Sequence, residues 1–338
     1  MNTLTPSRSL LNLALAAAST LAGLAHADDP GVTIYNAGPA AAAAVNSYWT
    51  SDRVANAKPM PFGVVKGDAN VEGPQTSRYG DSILDFTSAI VTGSAKSSPF
   101  KATGKLFFTK PGIGDFQCSA SVIRHRIVVT AAHCMYSSDI GFHSNWLFIP
   151  AYNGTSSDPA VQRPLGSWSW AYGIVPSNWL STGGALPNAT DFGLLEMVDQ
   201  TINGTATRIG SRTGRYTTAV GHLADTHVTM LGYPCNISPS GTCGELSRAD
   251  SSDHRTSSDG NAFEYGSDFG GGASGGPWIE NFGASTTSTG GYRTPNAVVG
   301  VSSYIYGGSN QLILGASQFN ADFTSILNSA CNNRPGNC

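Results

Sequence analysis

Short runs of β-branched and aromatic residues recur along the chain from Gly104 onward, and clusters of Gly, Pro, Asn and Ser separate them. This spacing is typical of the strands and turns of an all-β sandwich or barrel. The runs at which we predict strands are Lys105–Thr109, Arg126–Thr130, Trp146–Ile149, Phe192–Glu196, His227–Tyr233 and Ala297–Ile305.

One helical pattern lies near the carboxyl terminus. Phe319, Phe323, Ile326 and Leu327 are spaced at i, i+4, i+7 and i+8, which brings apolar side chains to one face of a helix. We predict a terminal α-helix whose apolar face lies against a barrel.

The amino-terminal pattern is typical of an export signal. An apolar run of mostly Leu and Ala follows Arg8, extends from Leu10 to Leu24 and ends in Ala25-His26-Ala27, a small-x-small cleavage site. The run is shorter than the roughly 20 residues that a membrane span needs. We therefore interpret residues 1–27 as a removed signal peptide, with a membrane anchor as the alternative.

Residues 28–95 differ in composition from the remainder of the chain. They contain an alanine run at Ala40–Ala44, scattered Pro and Gly, and only short apolar patches. We interpret this segment as a propeptide, with a spacer that stays in the mature protein as the alternative, and residues 96–338 as the mature domain. The mature amino terminus is left open between Asp28 and about Phe100.

Charge and cysteine content limit the possible functions. The net charge is −3 with 12% charged residues, and no Lys/Arg cluster has the density that nucleic-acid binding needs. Six cysteines in an exported chain imply up to three disulfides, and proximity favours three of the many pairings. These are Cys118–Cys134, Cys235–Cys243 and Cys331–Cys338.

Three motifs in a fixed order carry the candidate chemistry. His133 lies in Thr130–Cys134, Asp191 precedes the apolar run Phe192-Gly193-Leu194-Leu195, and Ser274 lies in Gly272-Ala273-Ser274-Gly275-Gly276-Pro277. A serine hydroxyl becomes a nucleophile when an imidazole takes its proton and a carboxylate orients that imidazole. The serine motif also fits the nucleophile elbow of α/β-hydrolases, but no histidine follows Ser274 in the chain, as that fold would require.

Together with Cys118–Ile123, these motifs resemble the trypsin-like (chymotrypsin-fold) serine peptidases, and in particular their secreted microbial branch related to glutamyl endopeptidases. The likeness spans about Pro99 to Leu327. It implies two six-stranded antiparallel β-barrels with a closing helix, and a crossover between the barrels near residues 203–220. It also implies a Cys118–Cys134 bridge that fixes the position of His133.

The resemblance assigns roles within this order. His133 is the expected general base, Asp191 its orienting carboxylate and Ser274 the nucleophile, while Asp158, Asp199 and Asp225 are weaker candidates than Asp191. The backbone N–H groups of Gly272 and Ser274 are expected to form an oxyanion hole, which explains why glycines surround the serine.

One position departs from the digestive members of this family. They have an aspartate before the nucleophile that pairs with the amino terminus released on activation, and this chain has Ala273 there. We therefore expect an oxyanion hole that forms without that ion pair, because a buried ammonium group without a partner is unfavourable.

Substrate preference depends on weaker signals. Asp268 lies six residues before Ser274, where trypsin-like enzymes keep the carboxylate that binds a basic side chain, so cleavage after Arg or Lys is one prediction; a turn-capping role is the alternative. Ser303 and Tyr304 are expected to line the cleft and to bind an extended peptide through their backbone. Cleavage after Glu is disfavoured, because serines stand where glutamyl-specific relatives have a histidine.

The sequence thus predicts a monomeric secreted serine endopeptidase, extracellular or periplasmic, that acts on polypeptides without a cofactor or a metal. Neither a C-x-x-C pair nor an H-E-x-x-H helix occurs to gather metal ligands. Two alternatives remain on the same scaffold: a catalytically inactive binding protein or adhesin, and an esterase.

Overall fold

The computed structural model describes residues 25–29, 31–37, 39–65, 84–93, 95–239, 241–257, 262–284, 294–306 and 312–338. Most of the predicted signal peptide, residues 1–24, therefore lies outside the described residues. Among the residues described, no helix is both long enough and apolar enough to cross a bilayer.

Strands dominate the structure. In chain order they are β1 (Ala25–Asp29), β2 (Val32–Asn36), β3 (Lys58–Pro59), β4 (Gly63–Val65), β5 (Phe86–Ile90), β6 (Thr103–Lys110), β7 (Gly114–Val122), β8 (Ile127–Thr130), β9 (Tyr136–Ser137), β10 (Gly141–Phe142), β11 (Ser144–Pro150), β12 (Trp168–Pro176), β13 (Gly193–Met197), β14 (Gln200–Ile202), β15 (Thr205–Thr207), β16 (Thr217–Thr218), β17 (Val228–Gly232), β18 (Ser247–Ser251), β19 (His254–Thr256), β20 (Phe263–Gly266), β21 (Pro277–Glu280), β22 (Ala297–Tyr306) and β23 (Ile313–Gln318).

Helices are short apart from the first and the last. They are α1 (Pro39–Tyr48), α2 (Ser51–Asn56), α3 (Pro159–Gln162), α4 (Ser177–Ser181), α5 (Ile209–Thr213) and α6 (Ala321–Asn333), and 3₁₀ turns occur at Phe100–Ala102, Ala132–Cys134 and Leu223–Asp225.

The first half of the fold is a closed barrel. Strands β12, β11, β6, β7, β8 and β13 pair in that order, and β13 pairs with β12 to close the ring. Leu106, Phe107 and Phe108 of β6 are all fully buried. The outer face of β6 is covered in part by Trp49, whose ring centroid lies 5.4 Å from that of Phe107. This covering explains why β6 is apolar on both faces.

The second half is a half-barrel. Strands β18, β17, β21, β22, β23 and β20 pair in that order, and in the described residues the two end strands are not joined. β5 adds to the β18 edge and β19 to the β20 edge. The predicted all-β class with two six-stranded units is confirmed, and the second unit is open where a closed barrel was expected.

The terminal helix is present as predicted. Asn320 caps α6 by accepting hydrogen bonds from the N–H groups of Asp322 and Phe323, which satisfies donors that the helix itself leaves unpaired. Phe323 is buried, and its ring lies 5.7 Å from that of Phe192 beside β13. The helix thus closes over the first barrel.

The described part of residues 28–95 is built onto both sheets. β2 pairs with β12 of the first barrel, and β5 pairs with β18 of the second. Val32, Val45 and Trp49 are buried in the main apolar cluster. This segment therefore adds its own apolar surface to the core.

Candidate active site

His133 and Asp191 form a buried pair between the two barrels. Asp191 Oδ2 lies 2.7 Å from His133 Nδ1, and Asp191 Oδ1 accepts a hydrogen bond of 2.8 Å from the His133 backbone N–H. Ser303 Oγ donates to Asp191 Oδ2 at 2.6 Å. Asp191 is fully buried, and so its carboxylate is held in one orientation by three donors.

Local sequence places each member of this pair. His133 lies in the 3₁₀ turn that follows β8, and Asp191 comes two residues before β13, which pairs with β8. The rival aspartates have other partners: Asp158 caps α3, and Asp199 binds Arg126 at 2.6 Å. Asp225 lies in a separate 3₁₀ turn.

The loop that carries Ser274 packs against Ser119 of β7 and Ser302 of β22. Its carbonyl accepts a hydrogen bond from Ser119 N–H at 2.7 Å, and Gly275 N–H donates to the carbonyl of Ser302 at 2.8 Å. Ser302 adjoins Ser303, the residue that binds Asp191. The structure thus brings Ser274 into the same cleft as His133 and Asp191.

Two reactive atoms in this cleft lack partners within the described residues. His133 Nε2 and Ser274 Oγ are both buried and make no hydrogen bond there. An unsatisfied buried polar atom typically costs about 1–3 kcal/mol. His133 Nε2 and Ser274 Oγ therefore make no hydrogen bond to each other in this structure, and transfer of the serine proton to the imidazole requires that contact.

Glycines on both sides of Ser274 adopt backbone conformations that favour glycine. Gly272 has φ +96° and Gly275 has φ +76°. A Cβ on Gly275 would overlap Thr130 Oγ1 and lie 2.6 Å from the Ala131 N atom, close to His133. The serine loop can therefore lie this close to the turn that carries His133 only because residue 275 has no side chain.

Gly275→Ala is expected to destabilise the fold much more than Gly112→Ala. Both glycines have φ +76°, but a Cβ on Gly112 would meet no atom within 4 Å. Gly112→Ala, the control, should lower the free energy of unfolding by about 1 kcal/mol through backbone strain. Gly275→Ala should lower it by about 3 kcal/mol more, because the new Cβ overlaps its neighbours. Urea unfolding of both variants measures the difference. Equal losses would contradict the close approach.

His143 is a residue of this region that the sequence patterns did not single out. Its ring is fully buried, stacks 5.0 Å from Phe108 and places Nδ1 3.1 Å from the carbonyl oxygen of Cys134, the residue after His133. Burial lowers the pKa of His143 to about 3. The neutral ring thus supports the turn that holds His133.

We expect His143 to make the fold sensitive to acid. Because its pKa is lowered in the folded state, the unfolded chain binds the extra proton, and stability is lost as the pH falls from about 6.5 towards 3. As the pH falls from 7 to 4.5, the free energy of unfolding of His143→Gln should decrease by roughly 2 to 3 kcal/mol less than that of wild type. Urea unfolding at both pH values measures this difference. Exposed His227→Gln is the control, and a wild-type profile for His143→Gln would contradict this account.

The predicted substrate residues have mixed positions. Tyr304 is fully buried, its hydroxyl donates to Glu264 Oε1 at 2.7 Å, and its backbone on β22 lies opposite Gly315 of β23 and Gly63 of β4. Asp268 is half-buried, with Oδ2 accepting from Ser88 Oγ at 2.7 Å and Oδ1 buried without a partner in the described residues. Neither the Tyr304–Glu264 contact nor Ser88 was anticipated from sequence.

The structure contains the three disulfides that proximity favoured: Cys118–Cys134, Cys235–Cys243 and Cys331–Cys338. The first joins β7 to the residue after His133. The second lies beside the serine loop, since a Cβ on Gly272 would be 3.2 Å from Cys235 Sγ. Two bridges thus brace the site.

Gly272, one of the two residues whose amides are expected to form an oxyanion hole, contacts the amino-terminal segment and β7. Gly272 N–H donates to the carbonyl of Met60 at 3.4 Å, and Gly272 O accepts from Ser119 Oγ at 2.9 Å. The Gly272 amide therefore has a partner in the amino-terminal segment. Met60 comes from the amino-terminal segment, a neighbour that no sequence motif indicated.

Comparison with known proteins identifies relatives. The trypsin family model matches residues 90–321. A protein of Bacillus subtilis (strain 168) described as an extracellular metalloprotease is 27% identical over 67% of this chain and 70% of its own length.

Solved structures share the fold. The protease Anisep from Arthrobacter nicotinovorans has a TM-score of 0.56 and 23% identity, over 70% of this chain and 98% of its own. A Glu endopeptidase has a TM-score of 0.53 and 22% identity, over 74% of this chain and 97% of its own. The resemblance seen in the sequence is confirmed.

The donor set near His133 does not fit a metal ion. Among the described residues, one cluster has three ligand-type atoms within 4.8 Å of one another: Cys118, His133 and Cys134. The two sulfur atoms are bonded to each other, and a metal-binding cysteine needs a free thiolate.

Proposed function

Because the chain belongs to the trypsin family of peptidases, we propose that it is a secreted serine endopeptidase that hydrolyses peptide bonds through an acyl-enzyme at Ser274. The observation that carries this proposal is the His133–Asp191 pair, with Nδ1 and Oδ2 2.7 Å apart, beside a glycine-bounded serine whose hydroxyl has no partner in the described residues. This arrangement provides a base, an orienting carboxylate and a nucleophile.

The proposed reaction proceeds in two halves. His133 Nε2 takes the proton of Ser274 Oγ as the oxygen bonds to the substrate carbonyl carbon, and Asp191 stabilises the resulting imidazolium. His133 then gives that proton to the leaving amine as the C–N bond breaks. Water, deprotonated by His133, hydrolyses the ester and restores Ser274.

The oxyanion hole is assigned to the amides of Gly272 and Ser274. Support comes from Gly272 N–H, which donates a hydrogen bond to a carbonyl oxygen, that of Met60. Such donors stabilise the negative oxygen of the tetrahedral intermediate, and the loss of one typically lowers kcat about 10²–10³-fold. Nothing in this proposal requires a cofactor.

Secretion is supported by three features. The first 27 residues match a signal peptide, three disulfides are present, and the Bacillus relative is described as extracellular. Disulfides persist in oxidising compartments. We propose that the mature protein acts as a monomer on polypeptides.

Covalent labelling and substrate choice test the proposed reaction against its alternatives. An organofluorophosphonate should label Ser274, whereas an inactive binding protein or adhesin would leave it unlabelled. Turnover of extended peptides should exceed that of simple esters in kcat, because a peptidase uses remote binding energy in the transition state. Faster turnover of simple esters alone would favour the esterase.

Two observations lead to different substrate preferences. The position of Asp268, with a buried and unpartnered Oδ1 in the described residues, supports cleavage after Arg or Lys. An apolar preference is supported by Phe269 and Ala273, which lie in a buried apolar cluster that also contains Phe62. The basic preference is the one predicted from sequence.

Asp268→Ser distinguishes the two preferences. If Asp268 binds a basic side chain, the variant should lose cleavage after Arg and Lys by at least about 100-fold, since an unpaired charge in the pocket is strongly disfavoured. A peptide-library digest of wild type and variant measures this. Identical cleavage sites in both digests, all after apolar residues, would contradict the basic preference.

A further inference from the structure

We infer that the chain carries its own ligand for the substrate cleft: residues 58–65, here called the cleft segment, lie along the cleft and keep peptides away from Ser274. This inference rests on the proposed function, because it takes His133 and Ser274 as the reacting groups. It gives the predicted propeptide a specific site of action.

One end of the cleft segment is fixed to the first barrel. β3 pairs in parallel with β7, where Lys58 is opposite Phe116 and Pro59 opposite Gln117. Met60 N–H then donates to the carbonyl of Gln117 at 2.9 Å. These contacts lie on the strand that carries Cys118 and Ser119, next to the serine loop.

The other end is fixed to the second sheet. β4 pairs in parallel with residues 304–306 of β22, with Gly63 opposite Tyr304. Ser303, the residue before this pairing, binds Asp191. A Cβ on Gly63 would overlap Leu186 Cδ1, so β4 also packs closely against the side chain of Leu186.

Between these ends the segment passes beside the loop that carries Ser274. The carbonyl of Met60 lies 3.4 Å from Gly272 N, and Phe62 is only 4% exposed, in the apolar cluster that includes Phe269 and Ala273. Ser274 has no exposed surface and His133 only 7%. A nucleophile that must meet solvent-borne peptides is therefore covered.

The way in which the cleft segment is bound favours its staying intact in the cleft over its being cleaved. The peptide bond next to the Gly272 amide joins Met60 to Pro61. The nitrogen of this bond is part of the proline ring, and the ring crowds the position to which the leaving-group proton must be delivered. The 3.4 Å contact is longer than the roughly 2.7–3.1 Å at which donors stabilise an oxyanion. Backbone pairing on both sides supplies the affinity, as in β-strand addition.

Labelling of the full-length chain by an organofluorophosphonate tests the inference. Wild type should react slowly at Ser274, and Phe62→Ala should react about 10- to 100-fold faster, because the variant loses the buried anchor. Val64→Ala is the matched control on the same strand, since Val64 is 58% exposed, and it should react within about twofold of wild type. Intact mass confirms that the chain is uncut.

Gly63→Val provides a second variant in case Phe62→Ala unfolds, which circular dichroism reveals. Its branched side chain would displace Leu186 Cδ1 and crowd the pairing of β4 with β22, so the same acceleration is expected. Equal labelling rates in wild type and folded variants would overturn the inference and leave the proposed function standing, as would rapid cleavage of Met60–Pro61 by the intact enzyme. Absence of labelling in every form would overturn the proposed function and this inference together.

Discussion

Ser274→Ala is expected to lower kcat for peptide hydrolysis about 10⁴- to 10⁶-fold. The alanine lacks the oxygen that the proposed reaction joins to the substrate carbonyl carbon in its first half. Binding and the oxyanion amides would remain, so a small residual rate above that of water is also expected. Steady-state kinetics on a peptide substrate, with thermal unfolding to verify the fold, measures the effect.

The matching change at the base gives a sharper test. His133→Ala should lower kcat by a similar factor, and the double variant should be no slower than either single variant, because the two groups act in one step. A double variant whose fold-loss in kcat equals the product of the two single losses would contradict a shared step. The control is Ser119→Ala near the loop, which removes two buried hydrogen bonds, one donated to Gly272 O and one accepted from Tyr233 N–H, and should cost only about tenfold in kcat.

Asp191→Asn is expected to lower kcat about 10⁴-fold at neutral pH. An amide in this position brings N–H groups towards the donors that now surround the carboxylate, including Ser303 Oγ at 2.6 Å and His133 N at 2.8 Å. His133 would then lose the partner that fixes its tautomer. Activity as a function of pH measures the loss.

Ser303→Ala serves as the comparison for Asp191. It removes one of three donors to the carboxylate while leaving the charge in place, and the expected loss is about tenfold. A loss as large as that of Asp191→Asn would mean that Ser303 itself contacts the substrate's reacting atoms. A wild-type rate for Asp191→Asn would remove Asp191 from the mechanism.

The contact between His133 and Asp191 was predictable because both residues lie in compact motifs, while the catalytic roles of His133, Asp191 and Ser274 stay predictions. His133, Asp191 and Ser274 each stand at the end of a strand or in a glycine loop, and such local patterns survive in the sequence even when their contacts are long-range. The disulfides were predictable for a simpler reason, since each joins cysteines no more than 16 residues apart.

Contacts of the amino-terminal segment were not predictable from its composition. β3 and β4 are two and three residues long, too short for a periodic pattern, and their partners lie about sixty and about two hundred and forty residues away in the chain. His143 was also missed, because nothing in the sequence around it indicates burial under Phe108. Long-range packing decided these features.

The open second barrel has a similar explanation. Its end strands β18 and β20 have mixed burial and are edged by β5 and β19. A pattern of inward and outward residues predicts strands but leaves closure of a sheet undetermined. The family resemblance therefore supplied an expectation that the strand pattern could not test.

Trapping the acyl-enzyme tests the central claim most directly. The mature protein, freed of the cleft segment that we infer covers Ser274, is mixed with an activated ester of a short peptide, quenched in acid within milliseconds and analysed by intact mass and peptide mapping. The account predicts an added acyl group on Ser274 that is absent from Ser274→Ala and accumulates in Asp191→Asn only slowly. Turnover of the ester with no adduct, or with the adduct on another residue, would contradict it.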